Sequence, residues 1–530
     1  MKYLLTSTLF ALCLPSELDA QNTILVKDCW PGELHGSDPD FIGTLEGKVL
    51  FSAQDEDHGR EPWISDGTEQ GTYMLADINT TSPFAGSSPM TGCEYNGYFY
   101  FFASTETQEA PDLWRTDGTS TGSELFLDVL PGQGDLFLEP EGPFFVEFAD
   151  RLYFVDIGPD GDGVLRLWST DGTEAGTLVS APIANPMIES HSAAVWNDRL
   201  YLGADGQIFG DGLYALDQSG MLDTLVLLPE NLASISDLTP SANGVYFLVS
   251  YSASERELWI TDGTVAGTHP LTDIDGQGPD PGGVVREGKL FFSAHSAMHG
   301  KEPWCSDGSV AGTYQIADLI PGAETSSPDG FVDFGEAVYF TANSIDFPGE
   351  TGLWRTNGAV DDCQRTDGAY GLRLISKFQN ALICLGGDNQ LLASDGSQDG
   401  LSSLASDTAS LCCVSVWSAS PGDAGLFLNA HSVDFNTELF LLTDVVAIDE
   451  PEDLISPIAF PMPFGDLLEV VLPTNGEYDV DVMDPLGNLI LSAEKRSGHL
   501  SFDTSRLSVG VYFLRARSGL SVVIHRIVKG

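Results

Sequence analysis

The sequence predicts an all-β chain: a β-propeller of nine four-stranded blades, or eight if one degenerate unit drops out, followed by a small β-sandwich. Three observations predict it. An aromatic-and-turn signature recurs nine times, a hairpin signal precedes each copy, and the strand missing after the last copy stands at the N-terminus.

The signature is clearest as Pro62-Trp63-Ile64-Ser65-Asp66-Gly67-Thr68 followed by Gly71-Thr72. It returns around Leu113-Trp114, Leu167-Trp168, Leu258-Trp259, Pro303-Trp304 and Leu353-Trp354, with weaker copies at Leu213-Tyr214, Leu391-Leu392 and Leu439-Phe440. The aromatic slots from Trp63 to Phe440 are spaced by about 47 residues, the length of a propeller blade.

Ahead of each copy stands a turn and an alternating strand, as in Glu46-Gly47 before Val49-Leu50-Phe51 and Asn96-Gly97 before Phe99-Tyr100-Phe101. Asn243-Gly244 before Val245-Tyr246-Phe247 repeats the pattern. Such a dipeptide between apolar runs is a strong hairpin signal. A fourth strand follows most copies, for example Met74-Leu75-Ala76-Asp77-Ile78. None follows the ninth, where Asp444 runs into an acidic linker; Ile24-Leu25-Val26-Lys27-Asp28 is the missing piece. A ring closed by both ends of the repeat leaves no sheet exposed at a terminus. The short eighth unit, Leu374 to Ser397, is the candidate degenerate one.

Residues 1–20 have the form of a signal peptide: Lys2, an apolar run from Tyr3 to Pro15, and Leu18-Asp19-Ala20 before Gln21. No later apolar run is long enough to cross a bilayer. The expected organisation is a propeller over residues 21–444, a linker over 445–456 and a β-sandwich over 457–530. Of the eight cysteines, Cys13 falls in the leader. The remaining odd number allows a local bridge from Cys384 to Cys363, Cys412 or Cys413, or a set of buried thiols, and no pair has zinc-site spacing.

Charge narrows the partners. Lys and Arg number 23 against 78 Asp and Glu, a net charge of −55. That surface repels nucleic acid and anionic lipid and favours cations and solubility in salt. Two acidic loops with alternating glycine are candidate calcium sites, through Asp156, Asp160 and Asp162 in one and Asp273, Asp275 and Asp280 in the other. Neither has the closing glutamate of a full calcium loop. The aspartate of each Asp-Gly-Thr is expected to cap its own turn, and the tryptophans to wedge neighbouring blades rather than stack on a ligand. His58 and His299 occupy matching places in two copies. No nucleophile motif, phosphate loop or dinucleotide fingerprint is present, so no catalytic residue is assigned.

The Leu-Trp-x-x-Asp-Gly-Thr-x-x-Gly-Thr pattern over residues 22–444 resembles the ELWxxDGT repeat proteins of secreted and surface-associated bacterial proteomes. That family is named for its repeat, and the resemblance implies no activity. The C-terminal segment resembles the type A sorting domain of the Bacteroidota type IX secretion system. The shared features are Pro461-Met462-Pro463-Phe464, the turn at Asp484-Pro485-Leu486-Gly487, Leu507-Ser508-Val509-Gly510-Val511-Tyr512 and the terminal Lys529. Met462 departs from the family's usual Asn. The resemblance implies export by type IX machinery and a place outside the cell or on its surface. The expected function is a non-enzymatic module binding glycans, proteins or cations. The alternatives are a polysaccharide hydrolase, calcium-dependent or not, with a site in the propeller channel, and a structural subunit of a surface assembly.

Overall fold

The computed structural model describes residues 23–529 apart from 32–34, 83, 107–110, 129–144, 158–164, 185–192, 205–211, 229–233, 253–254, 272–273, 275–276, 348–349, 388–390, 405–414, 433–435, 444–457, 461–466, 473–477, 484–488, 497, 509 and 519–520. The chain divides into two compact units, Met1–Ile448 and Asp449–Gly530.

In the first unit the alternating apolar runs become antiparallel hairpins. Sheet 1 is typical, with strands Asp40–Leu45, Lys48–Asp55, Gly59–Ser65 and Tyr73–Met74 paired in chain order. The described residues form nine such sheets, starting in turn near Asp40, Cys93, Phe145, Ala193, Ser234, Gly278, Asp329, Arg373 and Ser415. Sheet 6 has a fifth strand because its first strand is split into Gly278–Pro279 and Val284–Arg286. The short eighth unit still has four strands, from Arg373–Phe378 to Leu401–Ser403.

The ninth sheet is completed from the other end of the repeat, as expected. Thr23–Lys27 pairs antiparallel with Asn436–Leu442, Thr23 opposite Leu442 and Leu25 opposite Phe440. Apolar cores lie between sheets rather than at a single centre. Sheet 9 contributes Phe427, Leu439 and Leu441 to a core shared with Val49, Phe51 and Trp63 of sheet 1, which closes the ring. The first strands of successive sheets touch one another around it.

Hairpin turns follow the sequence with one correction. Glu46-Gly47, Asn96-Gly97 and Glu287-Gly288 have positive φ at both central residues, the primed geometry that matches strand twist. At Asn243-Gly244 the turn slips by one residue. Ser241 pairs with Gly244, so Ala242 and Asn243 form the loop and Gly244 opens the next strand.

The second unit is a two-sheet sandwich. One sheet joins Ile458–Phe460, Leu467–Leu472 and Gly498–Asp503; the other joins Leu489–Arg496, Tyr478–Met483, Gly510–Ser518 and Ser521–Lys529. Leu468, Val470, Val480, Val482, Phe502 and Leu514 fill the space between them.

Candidate functional site

The repeated residues are the natural first candidates, and most of them are engaged by the fold itself. In sheet 1, Asp66 Oδ1 accepts from the Thr68 amide at 2.9 Å and from its hydroxyl at 2.7 Å. The Gly71 amide then donates to Thr68 Oγ1 at 2.9 Å. Asp117, Asp171 and Asp262 make the same pair of bonds, and Asp307 makes it with Ser309. These bonds hold Asp66, Asp262 and Asp307 below the usual carboxylate range. In the seventh copy, where Asn357 replaces the aspartate, charge is restored from across the turn. Asp362 accepts from the Asn357 amide at 2.9 Å and from Thr356.

The glycine of the turn has a second use. Its positive φ turns the carbonyl toward the preceding sheet, where a side chain donates to it. Tyr73 reaches Gly118 O at 2.7 Å, Arg115 reaches Gly172 O at 2.8 Å, and Tyr339 reaches Gly396 O at 2.9 Å.

Eight of the nine aromatic slots lie in the core shared with the preceding sheet, and Trp354 packs with Phe340 of its own sheet and Leu319 of the segment leading to it. Trp63, Trp168 and Trp259 also face a phenylalanine of their own sheet, at ring separations of 6.3, 6.3 and 6.0 Å. The fused two-ring indole fills that wedge.

Sequence reading missed one repeated acid. Glu61, Glu302 and Glu438 immediately precede the Pro-Trp or Leu-Phe pair, and all three are fully buried. Glu61 accepts from the amides of Ile78, Asn79 and Ser87 and from the Ser87 hydroxyl. Glu302 accepts from Leu319 and Ser326, and Glu438 from Cys29 and Ser37. Each therefore pins the segment leading to the next sheet. Burial pushes all three up to about 7, against the pull of their donors. Asp318 beside Glu302 and Asp28 beside Glu438 push the same way. The signal was present as a recurrent glutamate, but an isolated acid on a strand reads as solvated.

Of the proposed calcium ligands, Asp160, Asp162, Asp273 and Asp275 lie outside the described residues, as does the side chain of Asp156. Asp280 is described, and it faces Lys301 Nζ at 2.7 Å and Arg256 Nη1 at 3.0 Å. Its charge is met by two cations. Among the described residues no three acids, histidines or cysteines converge as metal ligands would. His58 sits 2.8 Å from Asp55, while the His299 amide donates to Ser296. Cys29, Cys93, Cys305, Cys363 and Cys384 are free thiols, so the Cys363–Cys384 bridge is not formed. The two sit in different cores. Cys412 and Cys413 lie outside the described residues.

In the C-terminal sandwich, Asp481 is buried. It accepts from Arg515 at 2.7 and 3.1 Å and from Ser492 at 2.6 Å. Lys529 is buried on the last strand and donates to Thr504 O. Tyr512 of the Leu-Ser-x-Gly-x-Tyr segment closes a local loop through Ser508 O at 2.9 Å.

Residues 458–530 match the family described as the secretion system C-terminal sorting domain. No curated protein matches the chain. Among solved structures, it is similar over 92% of its length to 74% of PorZ, described as an essential surface component of the type-IX secretion system of Porphyromonas gingivalis, at 11% identity and a TM-score of 0.36. A prolyl endopeptidase aligns at 12% identity over 74% of this chain, with a TM-score of 0.34. A Mycobacterium tuberculosis puromycin-hydrolyzing peptidase aligns at 14% over 63%, also at 0.34. The chain spans 56% and 58% of those two peptidases. At such scores these likenesses carry no functional argument. The sorting domain does: it marks a type IX cargo, secreted or held at the cell surface.

Proposed function

We propose that this chain is a non-enzymatic binding scaffold, displayed or released by type IX export, whose ring of ELWxxDGT-type repeats presents loops to extracellular glycans or proteins. The observation that supports it is the internal engagement of the repeat's chemistry. Turn aspartates cap their own turns, tryptophans fill inter-sheet cores, and buried glutamates hold connecting segments. A site for chemistry needs polar groups free to meet a substrate, and repetition without such a cluster among the described residues favours recognition.

Two experiments test this reading. Deleting residues 450–530 is expected to leave the ring inside the cell; unchanged export would remove the sorting role. A glycan array run beside a broad hydrolase screen is expected to return binding without turnover. Cleavage of any polysaccharide, abolished by replacing one channel carboxylate, would make the protein an enzyme instead. Calcium at the 156–163 loop belongs to the same proposal, and calcium titration with no heat and no rise in Tm would remove it.

A further inference from the structure

The outer strands of the nine sheets are not alike. Sheets 1, 5, 6 and 8 end in strands of two or three residues: Tyr73–Met74, His269–Pro270, Thr313–Gln315 and Leu401–Ser403. Short edges of this kind are how proteins discourage pairing with other chains. Sheet 7 ends in six residues, Gln364–Ala369, that include Arg365 and Asp367. By contrast, sheets 3 and 4, which are neighbours in the ring, end in long strands with at most one charge. Their outer strands are Leu178–Ala184, of seven residues, and Leu222–Leu227, of six. Among the described residues neither has a hydrogen-bonded strand on its outer side.

Both strands are apolar and nearly uncharged in a protein of net charge −55. Leu178–Ala184 reads LVSAPIA and has no ionisable residue, but its Pro182 has no N–H to offer a partner strand, which leaves Leu222–Leu227 as the more open edge. Leu222–Leu227 has one, Asp223, and Arg199 neutralises it. Leu178 is 58% exposed, Leu227 59% and Met221, just before the second strand, 60%. Leu225 is buried in the core shared with sheet 5 and Leu222 packs against the core shared with sheet 3, so the strand is held firmly while its edge stays open.

We propose that the outer edge of sheet 4, Leu222–Leu227, docks an extended, net-basic segment of another polypeptide as an added β-strand. This rests on the binding-scaffold reading above and names its partner class. An open strand edge offers unpaired amides and carbonyls along its length, and the exposed Met221 and Leu227 give the added strand apolar contacts. Charge chooses the occupant. A second copy would bring another −55 to the interface, whereas a basic segment is drawn in by the ring's field, and Arg199 beside the strand is already paired with Asp223 and does not repel it.

The test uses the full chain and a short fluorescent peptide of alternating lysine and valine, with two control peptides. One control replaces lysine by glutamate; the other keeps every side chain and charge but is methylated on alternate backbone nitrogens. Strand addition predicts anisotropy binding of the lysine peptide at physiological salt, and hydrogen-exchange protection of residues 222–227. Losing several strand hydrogen bonds should weaken the methylated peptide by about tenfold or more. Equal affinity of the two lysine peptides would reduce the interaction to diffuse charge and overturn the proposal. So would protection elsewhere, or tighter binding of the glutamate peptide. The exposed-site variant M221S/L227S should weaken binding while leaving Tm unchanged. A dimer in sedimentation analysis that this variant dissolves would make the occupant a second copy, against the proposal. Failure of the peptide arm leaves the export and hydrolase tests untouched, so the two readings fall separately.

Discussion

The ring and the sorting domain bury charge in opposite ways. In the ring, Glu61, Glu302 and Glu438 sit fully buried, bonded to uncharged amides and hydroxyls. In the sorting domain, Asp481 is buried against the Arg515 guanidinium. Composition explains the contrast. Residues 457–530 hold seven lysines and arginines against eight acids, whereas the rest of the chain holds sixteen against seventy. A region with so few cations satisfies its inner carboxylates with backbone donors. The difference teaches that all but one unit of the net charge of −55 lies outside the sorting domain, which is close to neutral.

The sharpest way to break the comparison is Arg515→Ala. It takes the guanidinium away from the buried Asp481 carboxylate, and removing one partner of a buried pair costs about 3–5 kcal/mol. We expect the sorting domain to unfold first, measured as a lost calorimetric transition and reduced export. A ring residue of similar weight is Trp168, and Trp168→Ala should cost about 3–5 kcal/mol through the void left between sheets 2 and 3. If W168A melted the sorting domain and spared the ring, the two units would not be independent.

Next in size is Glu438→Ala, which strands the amides of Cys29 and Ser37 in the interior. Buried unsatisfied donors cost about 1–3 kcal/mol each. Chemical denaturation should show the loss in the ring alone.

The pH response follows from the same three glutamates. Unfolded, they titrate near 4.5; folded, at about 7. Between those values the folded ring holds more protons, so their stabilising contribution is whole below the lower value and is lost as pH rises through the upper one. The ring's Tm should therefore fall from about pH 5 to about pH 8, and replacing all three glutamates by glutamine should flatten that slope. A slope that survives the triple substitution would assign the effect to surface repulsion instead. The smallest expected change is Asp66→Ala, worth about 1 kcal/mol or less because that turn lies at the surface.

Features with a period were legible in the sequence; features that join distant segments were not. Nine tryptophan-type slots and nine hairpins repeat, and so does the gap filled by Thr23–Lys27. The donors to Glu438 lie 401 and 409 residues away, and no local pattern links them. Asp280 illustrates the same limit for the candidate site. Its loop has the composition of a cation site, yet Arg256 and Lys301, from two other strands, occupy the carboxylate. Asn357 looked like a turn without its charge until Asp362 folded back onto it.

Closure by Thr23–Lys27 also orders events in time. Of the strands described here, the one that leaves the ribosome first is the one that docks last, because its partner Asn436–Leu442 is made some four hundred residues later. Joining ends that far apart in a flexible chain costs about 5 kcal/mol of loop entropy. Until then the ninth sheet has an open flank, and the chain must be kept from pairing wrongly for the whole interval between the first strand and the last.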